Sequence, residues 1–261
     1  MTQVQIVRHS GHPYVPPARK PRSSILNIAH IVEGVSFLDP EGLVWSFNCI
    51  GVDVQETDCA TFTGQTKRFD APASTDGAMF IVQQGMVCRP FGFDMNDPAI
   101  KAAFEAKEPE GVSTGLFETV FDTAVDITPG AGTALPPATA LGLLEGYGLL
   151  NYAGEPILHL GPGVVSMLTN TGTGIEKGEG GVLRTALGTP IAVSAGYESK
   201  TDGKLDAEQW AFVTGAMVLA RGEPILQAEL DRTTNDMVVL HERLYVAGID
   251  CLVGKVKVKV Y

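Results

Sequence analysis

The sequence predicts a mixed α+β fold, and three stretches of the chain carry that prediction. Strand-forming residues concentrate between Val35 and Asp70, and a helical pattern with an acidic outer side covers residues 92–126. The chain ends in a strict alternation of Lys and Val over residues 255–260, which is typical of a strand with one buried face. At 261 residues, the chain is long enough to bury a sizeable core as one large domain or two modest ones.

The charge distribution argues against a protein that wraps around nucleic acid. The formal net charge is −11, and the first 32 residues hold four bases and no acid. The remaining 15 bases and 30 acids therefore give the body a net charge of −15. Binding to phosphates needs clustered Lys and Arg, so an acidic body favours other partners.

Neither membrane insertion nor signal-directed secretion is expected from the hydropathy pattern. No stretch of the sequence approaches the roughly 18 uninterrupted apolar residues that cross a bilayer. The first segment, residues 1–22, also lacks the apolar core of a signal peptide. It contains Pro13, Pro16, Pro17 and Pro21, which oppose a helix. Residues 1–32 are therefore either an extended basic arm that lies on a surface or a disordered tail.

The region from Val35 to Asp70 is predicted to form a protruding β hairpin. Residues 43–47 and 49–52 are rich in strand formers, and residues 61–63 continue the pattern. A buried strand is predicted over residues 78–82 and resumes at residues 86–88.

The acidic region is predicted to contain two successive helical stretches. Asn96 and Asp97 before Pro98 are a helix start, and helical spacing continues until Pro109 and Gly111 interrupt it. Ser113 or Thr114 can then cap a second stretch that runs to residue 124.

A compact α/β region follows. Residues 136–152 and 162–168 are predicted as helices on either side of a short apolar strand at 156–160. Further strands are predicted at residues 181–185, 190–194, 210–213 continuing through 218–220, and across the terminal segment 243–261.

The residues that usually carry chemistry show no metal or cofactor signature. The four cysteines, at positions 49, 59, 88 and 251, have no C-x-x-C spacing, which favours free thiols in a reducing compartment. His9 and His12 form an H-x-x-H pair in the Pro-rich segment, where no helix would hold them on one face. The glycine-rich stretches 172–178 and 203–205 do not complete a phosphate-binding loop. We expect no metal ion and no cofactor, although a small-ligand site built on the glycine loops stays open as an alternative.

Ser194 is the nearest approach to a catalytic nucleophile. It lies in Ala192-Val193-Ser194-Ala195-Gly196, a relaxed form of the nucleophile elbow, and His241 could serve as its base. A polar loop follows Ser194, whereas in a nucleophile elbow the nucleophile is followed directly by a helix. The sequence after Ser194 therefore does not fit the motif. Asp122 and Asp126 are spaced as helical i, i+4 neighbours, but their acidic surroundings favour a solvated face over acid–base work. We therefore assign no catalytic residue and keep a serine hydrolase as the rival function.

The order of elements and several phrases of the sequence resemble the major capsid proteins of tailed bacteriophages, which have the Hong Kong 97-type or Johnson fold, and especially the short versions in phages of actinobacteria. The phrases that carry the resemblance are residues 87–93, 140–147, 157–162, 184–197, 210–215 and 242–251. The resemblance covers the chain from about Val35 to the C-terminus and includes no catalytic signature.

The resemblance implies an arrangement of parts and a structural function. It implies an N-terminal arm at residues 1–34 and an extended loop at 35–75. It also implies a peripheral domain with a spine helix from residues 76–136 and 221–261, and an axial domain at 137–220. The implied function is a major capsid protein that self-assembles into an icosahedral phage head around double-stranded DNA, without sequence-specific DNA binding.

The same resemblance implies partners and a location. The subunits would form hexamers and pentamers in a shell, with scaffolding, portal or decoration proteins as further partners and no membrane. The virion would be the location, after assembly in the host cytoplasm. The modest length leaves a minor head protein or a cellular nanocompartment shell open.

Opposite charges suggest one contact between subunits. The basic arm would dock on an acidic surface of an adjacent subunit, such as the helical region at 92–126. Changing Arg19, Lys20 and Arg22 to Ser would then weaken assembly and reduce its salt dependence. Unaltered assembly would show that the hypothesis is wrong.

Overall fold

Two large β-sheets and four α-helices dominate the part of the chain that the computed structural model describes, which is residues 23–34, 44–47, 73–88, 98–170, 172, 174–201, 204–231, 236–250 and 253–261. The helices are α1 (Pro98–Thr119), α2 (Pro129–Gly132), α3 (Pro137–Asn151) and α4 (Pro162–Asn170). The strands, in chain order, are β1 (His30–Glu33), β2 (Val44–Phe47), β3 (Ala73–Asp76), β4 (Ala78–Cys88), β5 (Val125–Asp126), β6 (Ile157–Leu160), β7 (Ile175–Lys177), β8 (Leu183–Thr185), β9 (Pro190–Val193), β10 (Lys200–Thr201), β11 (Lys204–Leu205), β12 (Glu208–Thr214), β13 (Met217–Arg221), β14 (Ile225–Asp231), β15 (Asp236–Ile249) and β16 (Val253–Lys259).

The first large sheet has five strands built around the long strand β15. Strands β13 and β14 pair one after the other along one edge of β15, β4 pairs along its other edge, and β1 lies parallel to β13. Side chains alternate between the two faces, so Phe80 and Val82 are buried under α1 while Met79 and Ile81 point the opposite way. The sheet therefore has an inner face covered by α1 and an outer face.

Helix α1 is continuous, which corrects the prediction of two stretches separated at Pro109 and Gly111. Pro109 lies inside the helix, where it lacks the amide that would donate to the carbonyl four residues earlier. Ser113 and Thr114, which were expected to cap a second helix, instead donate their hydroxyls to the carbonyls of Pro109 at 2.9 Å and Glu110 at 3.0 Å. The packing of α1 on the sheet therefore outweighs the local signals that favour a break.

Glycines on α1 allow this close packing. A Cβ atom on Gly111 would lie 2.5 Å from Cγ1 of Val82, and one on Gly115 would overlap the ring of Phe80. Gly111 and Gly115 are four residues apart and lie on the same side of the helix. Gly111, which the sequence suggested as a helix breaker, thus sets the distance between the helix and β4 together with Gly115.

The second large sheet has seven strands in the order β5-β16-β12-β6-β9-β8-β7. One face packs against α3 and α4, and the other face packs against Phe117 of α1 and the buried Phe121. The terminal strand β16 follows the predicted alternation, because Val256 and Val258 are fully buried on the α3 side. One face of this sheet is therefore covered by helices, while the other is buried near Phe121 and partly exposed along the lysines of β16.

Besides the passage from β4 to β5 through α1, the chain crosses between the two large sheets at two short junctions that the sequence does not mark. The segment predicted as strands at 210–213 and 218–220 forms β12 in one sheet and β13 in the other. The terminal segment likewise divides into β15 in the five-stranded sheet and β16 in the seven-stranded sheet. At the first crossing Gly215 approaches the carbonyl of Asp250 so closely that a Cβ atom would overlap it.

Residues 23–33 form a strap that joins the two sheets. Ser23 lies at the β8–β9 edge, where its carbonyl accepts a 2.6 Å hydrogen bond from the amide of Val193. Ile25 is completely buried against the core under α1, and β1 then enters the five-stranded sheet. The strap therefore fixes the position of Ser23, the first residue that the structure describes.

Several sequence predictions are only partly covered by the structure. Of the predicted hairpin, β2 is described, and it pairs antiparallel with β3, so residues 48–72 lie between the two strands. Residues 49–52 and 61–63, the first 22 residues of the predicted arm with His9 and His12, and Cys49, Cys59 and Cys251 lie outside the described residues.

Candidate functional site

Ser194 and His241 belong to different parts of the fold. Ser194 follows β9, and its Oγ accepts a 3.1 Å hydrogen bond from the amide of Gly196 at the start of a three-residue 3-10 turn. A Cβ atom on Gly196 would lie 2.6 Å from the amide nitrogen of Thr114, so this turn rests on the middle of α1.

His241 lies on β15, and its ring centroid is 4.2 Å from that of Phe104. Phe104 and Thr114 are ten residues apart on α1, a distance of about 15 Å along a helix. The structure therefore does not bring Ser194 and His241 together as a nucleophile and its base. Burial lowers the pKa of His241, and Arg243 lowers it further.

The carboxylates of Asp122 and Asp126 do not share a helix face, which corrects their description as helical neighbours. Helix α1 ends at Thr119, Asp122 lies in a 3-10 turn and Asp126 lies in β5. Asp126 Oδ1 accepts a 2.9 Å hydrogen bond from the amide of Thr128. Hydrogen bonds from Thr128 lower the pKa of Asp126, which makes it an ionised turn residue.

His159 is a buried histidine that the sequence patterns did not single out. Its Nδ1 lies 3.1 Å from the hydroxyl of Tyr197, and its Nε2 lies 2.9 Å from Oγ1 of Thr214. Burial lowers the pKa of His159 to about 3 and raises that of Tyr197. His159 is therefore neutral and connects β6, β12 and the turn after β9 in the core.

A second polar cluster lies between α1 and β15. Oε1 of Glu108 accepts hydrogen bonds from Arg243 Nη1 and from the Tyr245 hydroxyl, each over 2.7 Å. Burial raises the pKa of Tyr245 to about 12, and the carboxylate of Glu108 acts in the same direction. These two hydrogen bonds cross the interface and hold the helix on the sheet, although the buried Nε of Arg243 has no hydrogen-bond partner among the described residues.

The described residues contain no group of three or more His, Cys, Asp and Glu side chains that could hold a metal ion. Within the same ranges, no helix has the length and apolar character needed to cross a membrane.

The outer face of the five-stranded sheet carries several large apolar side chains that the described elements leave exposed. Directly paired residues share a face, so Met79 and Ile81 on β4 lie beside Val246 and Leu244 on β15. Met79 is 56% exposed and Ile81 is 57% exposed. Ile225 and Val238 on the same face are also exposed. We call this surface, formed by Met79, Ile81, Leu244, Ile225 and Val238, the outer sheet face.

The sequence matches no protein-family model and no curated protein. The fold, in contrast, matches solved structures over nearly the whole chain. The capsid of a native GTA particle superposes with a TM-score of 0.58 at 10% identity, over 97% of this chain and 96% of that one.

Two further structures give the same picture. The holo-SrpI encapsulin complex from Synechococcus elongatus has a TM-score of 0.54 at 11% identity, covering 98% of this chain and 94% of that one. The capsid of Ralstonia phage GP4 has a TM-score of 0.53 at 10% identity, covering 99% and 96%. Together with the long helix α1 on an extended sheet and the central α/β sheet, these matches show that the chain has the Hong Kong 97-type capsid fold that its sequence phrases predict.

Proposed function

We propose that this protein is a structural subunit that self-assembles into a closed shell. The observation that carries the proposal is the outer sheet face, where large apolar side chains on β4, β14 and β15 remain exposed in the single chain. Met79, Ile81 and Leu244 adjoin one another on this face, whereas Glu242 pairs with Ile225 and Glu229 with Val238. A group of exposed apolar side chains on a folded domain is typical of protein–protein contact. A second subunit packing on this face would remove these side chains from water.

The fold supports the same function. The similar structures are named as a GTA capsid, a phage capsid and an encapsulin complex, and each matches this chain over almost its full length. The separation of Ser194 from His241 favours a structural protein over a serine hydrolase. We therefore assign no catalytic, cofactor-binding or metal-binding residue.

Within this proposal, the chain is the major capsid protein of a phage head, with hexamers and pentamers as its assembly units. Residues 1–34 are the arm and 35–75 the extended loop, residues 76–136 and 221–261 form the peripheral domain, and residues 137–220 form the axial domain. The net negative charge of the body is consistent with a shell that encloses double-stranded DNA without binding it sequence-specifically. The subunits would assemble in the host cytoplasm with scaffolding, portal or decoration proteins and end up in the virion.

A nanocompartment shell is the second candidate, and the encapsulin match favours it. The two candidates differ in what the shell contains. Purified particles that protect DNA from nuclease favour the phage head, whereas particles that enclose a protein cargo favour the nanocompartment.

The test is to express the chain alone and to combine negative-stain electron microscopy with a light-scattering mass. Closed shells, or rings of five or six subunits, are the expected result. Ile81→Asp should reduce assembly because it places a charge on the outer sheet face, and Val125→Asp, at a similarly exposed position on β5, is the matched control. A monomer at every concentration would contradict assembly of the chain without scaffolding proteins and would direct attention to hydrolase substrates, with Ser194→Ala as the control.

A further inference from the structure

The turn between β8 and β9 presents a leucine to solvent. Leu187, at the tip of this turn, is 73% exposed. The next residue, Gly188, has φ of +95°, a conformation that L side chains rarely adopt. An apolar side chain at the tip of a turn contributes little to its own subunit.

The same turn is held rigidly by hydrogen bonds. The amide of Thr185 donates to the carbonyl of Thr189 over 3.0 Å, and the amide of Gly188 donates to the carbonyl of Thr185 over 2.9 Å. The amide of Thr189 also donates to Oγ1 of Thr185 over 3.2 Å, and Arg184 donates to the carbonyl of Gly188. The backbone around Leu187 therefore has few alternative conformations.

A buried carboxylate on α3 fixes the turn against the body. Oε1 of Glu145 accepts hydrogen bonds from the hydroxyls of Thr185 at 2.5 Å and Thr189 at 2.6 Å. Glu145 is almost fully buried, and burying a carboxylate costs free energy unless its oxygens are bonded. This arrangement holds the turn, and with it Leu187, in one position relative to α3.

Two more exposed leucines, Leu149 and Leu150, lie at the C-terminal end of α3. Leu149 is one helical turn beyond Glu145, about 6 Å between Cβ atoms. Leu149 is 52% exposed, and Leu150 beside it is 84% exposed. Arg184 Nη1 also bonds to Glu155 Oε1 over 2.5 Å, which ties β8 to the segment just after α3. We call the surface formed by Leu149, Leu150 and Leu187 the leucine corner.

We propose that the leucine corner is a contact between subunits, in which Leu187 of one copy packs on Leu149 and Leu150 of a second copy. The inference rests on the proposed shell function, since a shell supplies the second copy. A leucine that is already fixed in position loses little conformational entropy when it binds, which suits a contact that is repeated many times. Contact between two different surface elements of identical subunits is heterologous and generates rings when the rotation closes.

Charge argues for a protein partner at this corner. Arg184 and Glu155, which flank the corner, form a neutral pair. The body of the chain carries a net charge of −15, which disfavours an anionic membrane or nucleic acid. A second copy of the chain fits because its own corner offers the matching apolar side chains.

The test compares Leu187→Ser and Leu150→Ser with Leu205→Ser, which changes an exposed leucine in the β10–β11 hairpin. We expect the first two variants to raise the concentration needed for assembly at least about tenfold, as truncation of a central interface residue does. The control should stay within about twofold of the wild type. Thermal unfolding of the unassembled subunits should be the same for all three variants, because each side chain is at least partly exposed.

Hydrogen exchange gives a second readout on the wild type. The amides of residues 186–188 should exchange more slowly in the assembled particle than in the free subunit. If Leu187→Ser assembles like Leu205→Ser and these amides gain no protection, the leucine corner is not an interface, while the shell function stands. If the wild type stays monomeric at every concentration, assembly of the chain by itself and the corner contact are both contradicted.

Discussion

The hydroxyl of Tyr245 on β15 donates a hydrogen bond of 2.7 Å to Oε1 of Glu108, which lies on α1. Arg243 donates to the same oxygen, and Glu108 and Tyr245 are both buried. One carboxylate therefore satisfies two donors from the sheet. It joins the long helix to β15, the strand that carries most of the pairing in the five-stranded sheet.

Glu108→Gln should lower the free energy of unfolding by about 3 kcal/mol, because it leaves the positive charge of Arg243 without its partner in a buried position. Glu110→Gln is the matched control, since it breaks an exposed 2.9 Å pair with Lys107 that contributes about 0–1 kcal/mol. Urea unfolding of both variants measures the difference. Equal losses would show that the buried pair has no special role.

Gly115→Ala should destabilise the protein by about 1–3 kcal/mol because the new methyl group overlaps the ring of Phe80. The same substitution at Gly142 on α3 should stabilise it by about 0.5–1 kcal/mol, since nothing lies within 4 Å of the new atom and Ala favours helix. Thermal unfolding of the two variants checks the prediction. A stabilising effect at both positions would mean that α1 can move away from β4 at little cost.

Stability should fall as the pH is lowered from 6.5 towards 3. Buried His159 has a pKa of about 3 in the folded protein, so the unfolded chain takes up a proton there first. Each pH unit within this window should cost about 1.4 kcal/mol for a single group. His159→Gln should make the pH dependence less steep, as measured by urea unfolding at a series of pH values. An unchanged slope would mean that other groups dominate the acid response.

Ser23→Ala should destabilise the strap by about 1–3 kcal/mol. The buried Ser23 hydroxyl donates to the carbonyl of Ile191 and accepts a 2.8 Å hydrogen bond from the amide of Leu183, which would lose its partner. Ser24→Ala is the control, because the buried Ser24 hydroxyl has no hydrogen-bond partner among the described residues. Calorimetry should show a loss for the first variant and little change or a gain for the second.

The sequence predicted local elements well where one pattern dominated. The helix expected at 136–152 is α3, the strand at 156–160 is β6, and the helix at 162–168 is α4. In each case the apolar spacing, a proline near the start and a glycine or polar stop indicate the same structure. The phrases that resemble capsid proteins also led to the correct fold.

Local patterns failed where distant contacts decide the structure. Pro109 and Gly111 signal a break, but Val82 packs against Gly111 and the helix continues. The change of sheet between β12 and β13, and again between β15 and β16, depends on pairing with strands far away in the sequence. The pairing of Glu145 with Thr185 and Thr189 spans some forty residues. The candidate pair of Ser194 and His241 rests on a relaxed motif and on the order of residues along the chain, neither of which records distances in space.

The strap gives the molecule a mechanical link between its two layers. Ser23 is bonded to one sheet, and β1 runs parallel to β13 in the other, with Ile25 locked in the core between them. A pull on the chain ahead of Ser23 would load the seven-stranded sheet first and reach the five-stranded sheet only after Ile25 leaves the core. A force applied to the chain before Ser23 would therefore act on the two sheets one after the other. Both sheets of the subunit would resist a pull exerted by a neighbouring subunit.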